Sequence, residues 1–532
     1  MITHRGIFLL VSLFTGVLLL SNFIDYQHTL STGDHGLVLY AAEATLRGEV
    51  PFHDYHYFYG PLMPYYYGLM LKIFGNTISG VLVGELLLRL LCGILIYSAL
   101  SLFIHPFLSF AGSLWFWVYN KEFFYTYNHI GINVASLFIF LMVCQYLKNS
   151  NVKCLHAALV GCVMAGLVKL SFGIVLCLGL FLSVLFINIV EKRMHPAKFY
   201  AAVLLGTPLL ILLSNWAFVV GLPFYIIKQC YQYFGTDAVA SYYPDLPTAA
   251  KYFIGLGYKG VVKSWYSELL LIIIAIIGMA NIYEAKKGRI TEFGLKGFMT
   301  LVILALIFYG ISLHEYILSG IYFRTFYAYP FLIIGMFLAL GYMARQIPRF
   351  VLHSLTLVLC LISLTQFGIL LTKMQVYRSS GYYLPMKKAK IFVSNKAPWA
   401  QVVTKATLYL QDHMKDDETL LALPYDPLYY YLLDRKSPTR QLATFGFLQM
   451  PPEQEQDILR ELQTKNVKWI LISNRAITRE IGLGVFGDDC CHLLARYIAD
   501  HYQTVQQFGE WTTTPSWAWH HGVRILKRKD PS

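Results

Sequence analysis

Apolar runs about as long as a bilayer is thick recur along most of this chain. Ile7–Phe23, Phe199–Val220 and Val351–Leu371 are three of them. A helix needs about 20 apolar residues to cross the hydrocarbon core. Backbone in lipid must satisfy its own N–H and C=O groups, so such runs fold as helices. Composition agrees: the 532 residues are 56% hydrophobic and only 14% charged, against about 25% charged in soluble proteins. The reading is a polytopic α-helical membrane protein. The formal net charge of +13 then reflects loop lysines and arginines that set topology and meet membrane lipids, with no nucleic acid as partner.

Spans are expected at 7–23, 79–103, 106–119, 129–147, 155–170, 172–190, 199–221, 266–283, 297–313, 326–343 and 350–372, about eleven in all. Met1–Arg5 is basic, and no small-x-small cleavage site precedes Asp25. A retained first span with a cytoplasmic N-terminus is therefore favoured over a signal peptide. Alternation places Lys148–Lys153, Glu191–Lys198, Glu284–Arg289 and Arg345–Arg349 inside, and all four turns are short and basic, as the positive-inside rule requires. The segments 25–78, 120–128, 222–265 and 314–325 fall outside and are richer in Tyr, His and Asp. An odd span count leaves the C-terminus outside. The expected address is a bacterial inner membrane.

Residues 1–372 thus form a membrane domain, with 25–78 as its first extracytoplasmic loop. Residues 373–532 form a C-terminal extracytoplasmic α/β domain. There, helices are expected at 400–414, 427–433, 453–464 and 492–501, and strands at 420–423, 468–472, 504–508 and 517–526. The alternation suggests a small, mostly parallel sheet. The tail Lys527-Arg528-Lys529 reads as disordered. Cys490-Cys491 show no metal-ligand spacing.

The first loop is the stretch that carries chemistry. Leu37–Tyr40 and Ala44–Leu46 recur at near-helical spacing, with Glu43 and Arg47 as an i,i+4 pair. Gly48 ends that helix and Pro51 prevents its continuation. Pro61-Leu62 opens a second helix that Gly75-Asn76 stops. Between them runs His53-Asp54-Tyr55-His56-Tyr57-Phe58-Tyr59.

This pattern resembles the first-loop signature of the GT-C glycosyltransferases, the superfamily of protein O-mannosyltransferases and aminoarabinose transferases. The matching residues are Asp34, Ala41-Ala42, Leu46-Arg47-Gly48, Val50-Pro51-Phe52, Asp54, Gly60-Pro61-Leu62, Phe74-Gly75 and Arg89. Gly166–Gly173 around Lys169 is similar to a second family element, and Leu408–Arg440 to the start of the family's exoplasmic domain. The pattern departs from many members in having His35 rather than a second acid after Asp34, and Tyr59-Gly60 where some carry a lysine. The resemblance implies a GT-C-like fold and an inverting enzyme. It would move a monosaccharide from a polyprenyl-phosphate-linked sugar donor to an extracytoplasmic acceptor, whether lipid, glycan or protein, in cell-envelope synthesis.

Inverting transfer needs a base for the acceptor's proton and positive charge on the departing phosphate. Asp34 is the expected base, although Asp at that place also suits a helix N-cap. Asp54 is the second catalytic carboxylate, orienting the acceptor, or else a turn residue. Lys169, Arg324 and Arg89 are the expected donor phosphate ligands. Their structural alternatives are snorkelling for Lys169, an interfacial belt for Arg324 and an internal pair with Glu85 for Arg89. His53, His56 and Tyr59 are candidate acceptor or sugar contacts. No cofactor is certain; a divalent metal is possible, because His53 and His56 with Asp34 or Asp54 could hold one on paper. The run Tyr55–Tyr67 either meets sugar and lipid or forms an interfacial girdle. A transporter or lipid-linked sugar flippase would also explain spans with buried charge. It predicts related halves, and none are visible. A non-catalytic scaffold of envelope assembly is the remaining rival.

Overall fold

The computed structural model describes residues 4–27, 30–119, 129–192, 195, 197–230, 292–319, 322–343, 349–393, 399–448, 450–477, 484–511 and 521–529. The expected span 266–283, the turn Glu284–Arg289 and most of the outer segments 120–128 and 222–265 lie outside the described residues. Helices in the N-terminal half are α1 (His4–Leu20), α2 (Asp34–Leu46), α3 (Leu62–Phe74), α4 (Ile78–Ser101) and α5 (Pro106–Tyr119). Next come α6 (His129–Asn149), α7 (Val152–Val168), α8 (Leu170–Val190), α9 (Ala197–Ala201), α10 (Thr207–Trp216) and α11 (Phe224–Cys230). Then follow α12 (Glu292–Ser312), α13 (His314–Ser319), α14 (Tyr329–Met343) and α15 (Arg349–Ser380). The C-terminal helices are α16 (Trp399–His413), α17 (Leu428–Leu433), α18 (Pro452–Thr464) and α19 (His492–His501).

Two compact units divide the chain. One comprises Met1–Asn22, Leu86–Ser214 and Tyr243–Leu371; the other comprises Phe23–Glu85, Asn215–Tyr242 and Thr372–Ser532. Among the described residues, seven helices are long and apolar enough to cross a membrane: His4–Phe23, Ile78–Ser101, His129–Asn149, Leu170–Val190, Phe199–Trp216, Lys296–Leu318 and Thr356–Ser380. Three shorter apolar helices, Pro106–Val118, Val152–Val168 and Tyr329–Tyr342, fall where spans were expected at 106–119, 155–170 and 326–343.

In the first unit the helices pack as a series of neighbours. α1 lies on α5, α5 on α14, α14 on α12, α12 on α8, α8 on α7, and α7 on α6. Each helix is hydrophobic on most of its circumference, as helices between other helices and lipid must be. A π-helical turn, Ala202–Gly206, joins α9 to α10. The α7–α8 junction is tight. A Cβ on Gly173 would lie 2.4 Å from the Cα of Gly166, so only glycine at 173 lets the two helices meet across the bend.

The second unit is built around α2. Every residue of α2 from His35 to Ala44 is buried, and its core joins Leu37, Tyr40, Ala41 and Ala44 to Ala422, Tyr430, Leu442 and Phe445. Tyr55, Tyr57 and Phe58 belong to the same core. This corrects the expectation for these three rings: they neither face lipid as a girdle nor offer a stacking face. Residues 440 and 52–56 are stitched together by two bonds. The His56 N–H donates to the Arg440 carbonyl at 2.8 Å, and Arg440 Nε donates to the Phe52 carbonyl at 2.8 Å.

Three short strands form one sheet of this unit: β1 (Tyr26–Gln27), β2 (Tyr382–Leu384) and β3 (Ile391–Val393), in the order β1-β3-β2. A second sheet holds β4 (Leu420–Leu423), β5 (Trp469–Ser473), β6 (Tyr502–Phe508) and β7 (Val523–Arg528), in the order β4-β5-β7-β6. Only β4 and β5 pair in parallel; β7 is antiparallel to both β5 and β6. The expectation of a mostly parallel sheet is therefore corrected. Strands consecutive in the chain that lie side by side, as β6 and β7 do, commonly return on one another as an antiparallel pair. The basic tail is corrected too. Lys527 and Arg528 complete β7, whose central place gives their backbone partners on both sides. α18 and α19 cover this sheet with Ile458, Leu462, Leu494 and Ile498.

Candidate functional site

Asp34 is the first residue of α2. The N-cap position belongs to Gly33, and the His35 N–H of the first turn donates to Ser31 Oγ at 3.2 Å. Asp34 therefore sits where its charge suits the positive end of the helix dipole, without serving as the cap its sequence position allowed. Its Oδ1 accepts a hydrogen bond from the Tyr425 hydroxyl at 2.9 Å. Tyr425 is 1% exposed. Burial first, and then the Asp34 carboxylate, push its phenol well above the ordinary range, so it remains a donor at neutral pH. The ring is held edge-on by Phe445 at 4.9 Å and Phe58 at 5.8 Å, and the Arg475 guanidinium lies 5.6 Å from its centre.

Packing presses the first turn of α2 against the turn that carries Tyr425. The Leu428 N–H donates to the Thr32 carbonyl at 3.1 Å. A Cβ on Gly36 would lie 2.3 Å from the Leu428 nitrogen, and one on Gly33 would lie 2.6 Å from the Tyr425 ring. Glycine at both places makes this approach possible.

Lys169 lies in the first unit. It is the single extended residue, with φ −157°, between α7 and α8. Its ammonium pairs with Glu315 of α13, and Arg324 Nη1 lies 4.0 Å from the other oxygen of the same carboxylate. Two of the three expected phosphate ligands are thus brought together on one acid. Lys169 and Glu315 are each at most 5% exposed, and charges so placed need partners. Beside them the Tyr327 hydroxyl bonds His129 Nδ1, and the Phe172 ring lies 4.4 Å from Tyr327 and 4.5 Å from His314.

The other expected site residues are dispersed through their own segments. Arg89 is 2% exposed in α4, where its carbonyl accepts from Trp117 Nε1 at 3.1 Å. The exposed Asp54 carboxylate accepts from the Val50 N–H at 2.6 Å, while the Asp54 N–H donates to the Val50 carbonyl at 3.0 Å. That reciprocal pair is what a turn requires. His53 is exposed. His56 is fully buried against Phe58, and burial, then Arg440, lowers it to about 3. Tyr59 is half-buried, edge-on to Tyr57 at 5.9 Å. Tyr425 and Glu315 carry the two clusters, yet neither had an assigned role in the sequence. Tyr425 was visible only within the segment resembling an exoplasmic domain, and Glu315 only within the outer segment 314–325.

Two solved structures share this architecture. ArnT from Cupriavidus metallidurans, bound to undecaprenyl phosphate, aligns with a TM-score of 0.55 at 11% identity, over 98% of this chain and 97% of its own. The fold is the GT-C fold. The oligosaccharyltransferase of Archaeoglobus fulgidus, in complex with Zn and sulfate, aligns at 0.52 and 11% identity, over 98% of this chain and 88% of its own. No protein-family model and no curated protein sequence matches the chain. The GT-C likeness accounts for the apolar helices together with the sheet-bearing C-terminal part. Among the described residues, no three His, Cys, Asp or Glu side chains lie together as a metal would need. His53, Asp54 and His56 do not form the metal site that their spacing allows, for one histidine is exposed and the other sealed in the core.

Proposed function

We propose that this protein is an inverting glycosyltransferase that moves a monosaccharide from a polyprenyl-phosphate carrier to an acceptor outside the cytoplasm. The observation that carries this reading is Asp34, an acid at the start of a buried helix in a GT-C fold, held by a tyrosine hydroxyl rather than spent as a helix cap. The undecaprenyl phosphate bound by the Cupriavidus protein supports a donor of the same chemical class.

Asp34 takes the proton from the acceptor as the acceptor's oxygen or nitrogen attacks the anomeric carbon. The bond from that carbon to the phosphate oxygen breaks with inversion, and polyprenyl phosphate leaves carrying the electron pair. Lys169 and Arg324 receive the growing phosphate charge. Glu315 is their counter-ion before the donor arrives. Asp54 holds its own turn.

Transfer of radiolabel from a panel of polyprenyl-phosphate sugars, in purified membranes, tests this reading. Wild type gives labelled product, and Asp34→Asn at equal folded protein gives none. Full activity in Asp34→Asn would remove Asp34 as the base. A wild type that uses no donor in a broad panel would overturn the transferase reading and call for a lipid-translocation assay.

A further inference from the structure

We infer that Tyr425 is the positioning residue for Asp34, its hydroxyl fixing the carboxylate by donating to Oδ1. The inference rests on Asp34 being the base. Three observations on this unit carry it. The hydroxyl reaches Oδ1 at 2.9 Å across a sequence separation of 391 residues, so the bond joins two distant parts of the chain. The ring that carries the hydroxyl is clamped by Phe58, Phe445 and the Arg475 guanidinium, and Arg475 Nη1 also donates to the Tyr425 carbonyl at 3.3 Å. Finally, Gly33 and Gly36 remove the side chains that would keep α2 away from the Tyr425–Leu428 turn.

The chemistry follows from those contacts. A carboxylate that rotates freely presents either oxygen in any orientation. One anchored through Oδ1 keeps a fixed direction, and orientation of a base against its acceptor is worth large factors in rate. The same hydrogen bond stabilises the ionised form. Removing the donor takes one stabilising partner from the ionised carboxylate. The titratable and charged groups around this pair are Tyr59 of the first loop and Arg475 after β5.

The test is a pH–rate profile of sugar transfer for wild type, Tyr425→Phe and a protein carrying fluorotyrosine at 425. Tyr425→Phe keeps the ring and its packing. Its expected profile has the acid limb of kcat/KM raised by about one pH unit and kcat down about tenfold, with donor KM unchanged. Fluorotyrosine is a stronger donor of the same shape, so its acid limb moves the other way. This second variant keeps the inference testable if Tyr425→Phe fails to fold. A merely structural Tyr425 would give less folded protein and an unmoved acid limb in both variants, which overturns the inference. Asp34→Asn separates the two levels. If it is active, the base assignment fails and this inference with it. If it is inactive while both Tyr425 variants keep the wild-type profile, only the positioning role fails.

Discussion

The ammonium of Lys388 lies between two carboxylates, Glu43 of α2 and Asp434 just after α17, and bonds to both. Glu43 is 3% exposed. It also accepts from Asn76 Nδ2 at 2.6 Å and pairs with Arg47 at 3.3 Å. The Lys388 carbonyl accepts from the Ile78 N–H at 2.8 Å. One residue therefore fastens α2, the start of α4 and the end of α17 within the second unit.

Lys388→Met should destabilise the protein by about 2–3 kcal/mol. Breaking a buried pair by removing one partner costs about 3–5 kcal/mol, and here Arg47 and Asn76 still serve Glu43. The measurement is the temperature at which folded protein is lost in detergent. An unchanged midpoint would show that the remaining partners suffice. The Asp434 carboxyl is held below its usual range by its bond to Lys388. Its folded value is depressed, so whatever this bond contributes is present above about 3.8 and fades as pH falls through the folded value.

Two buried histidines set a second pH dependence, at higher pH. Burial lowers His56 to about 3 and His521, beside the Tyr429 hydroxyl at 3.1 Å, to about 4. Both folded values lie below the ordinary 6.5, so the unfolded chain binds these protons first as pH falls. The stability involved is whole above about 6.5 and declines by about 1.4 kcal/mol per pH unit for each histidine as pH drops toward 4. Unfolding by denaturant between pH 7 and 5 should show this slope, and His56→Gln should reduce it by one proton's share. Parallel profiles for wild type and His56→Gln would refute the assignment.

Gly36→Ala sets packing against propensity. In a helix interior alanine is favoured over glycine by about 1 kcal/mol. At Gly36 the new Cβ would meet the Leu428 nitrogen at 2.3 Å, and backbone cannot step aside as a side chain can. Loss of folded protein or of activity is expected, despite the better helix former. Gly310→Ala in α12, where nothing lies within 4 Å, is the matched control and should be neutral or mildly stabilising. Equal behaviour of the two would mean that the close approach of α2 to α17 has no consequence.

Lys169→Ala and Asp34→Asn should fail differently. Loss of a ligand that meets both the bound donor's phosphate and its growing charge raises donor KM, here by about tenfold or more, and lowers kcat as well, whereas loss of a base lowers kcat with donor KM kept. Steady-state kinetics against donor concentration separates them. A pure kcat effect in Lys169→Ala would take Lys169 out of donor binding.

Local signals in the sequence were sufficient for the elements with strong punctuation. Pro61 and Gly75 bound α3, β4 spans the expected 420–423, and α19 spans the expected 492–501. Strands of two or three residues, such as β1, β2 and β3, are too short to show any period. The antiparallel place of β7 depends on which strand it joins, and periodicity does not encode that choice. In the sequence Asp34, Lys169 and Arg324 each stood out as costly or well-placed charges. What escaped was their pairing. Tyr425 meets Asp34 across 391 residues, and Glu315 meets Lys169 across the bend of two helices. No window of sequence contains both members of either pair.

The union of α2 with Tyr425 also bears on how the protein is made. During synthesis the first-loop helix emerges 391 residues before the tyrosine that completes its surroundings. At about 5–20 residues per second, that is a wait of about 20–80 s. Throughout it, a helix whose residues 35–44 end up buried has only its nearest neighbours for cover. A ribosome stalled before the C-terminal sheet leaves behind a chain whose membrane helices are in place and whose first loop is unfinished, a ready substrate for quality-control proteases.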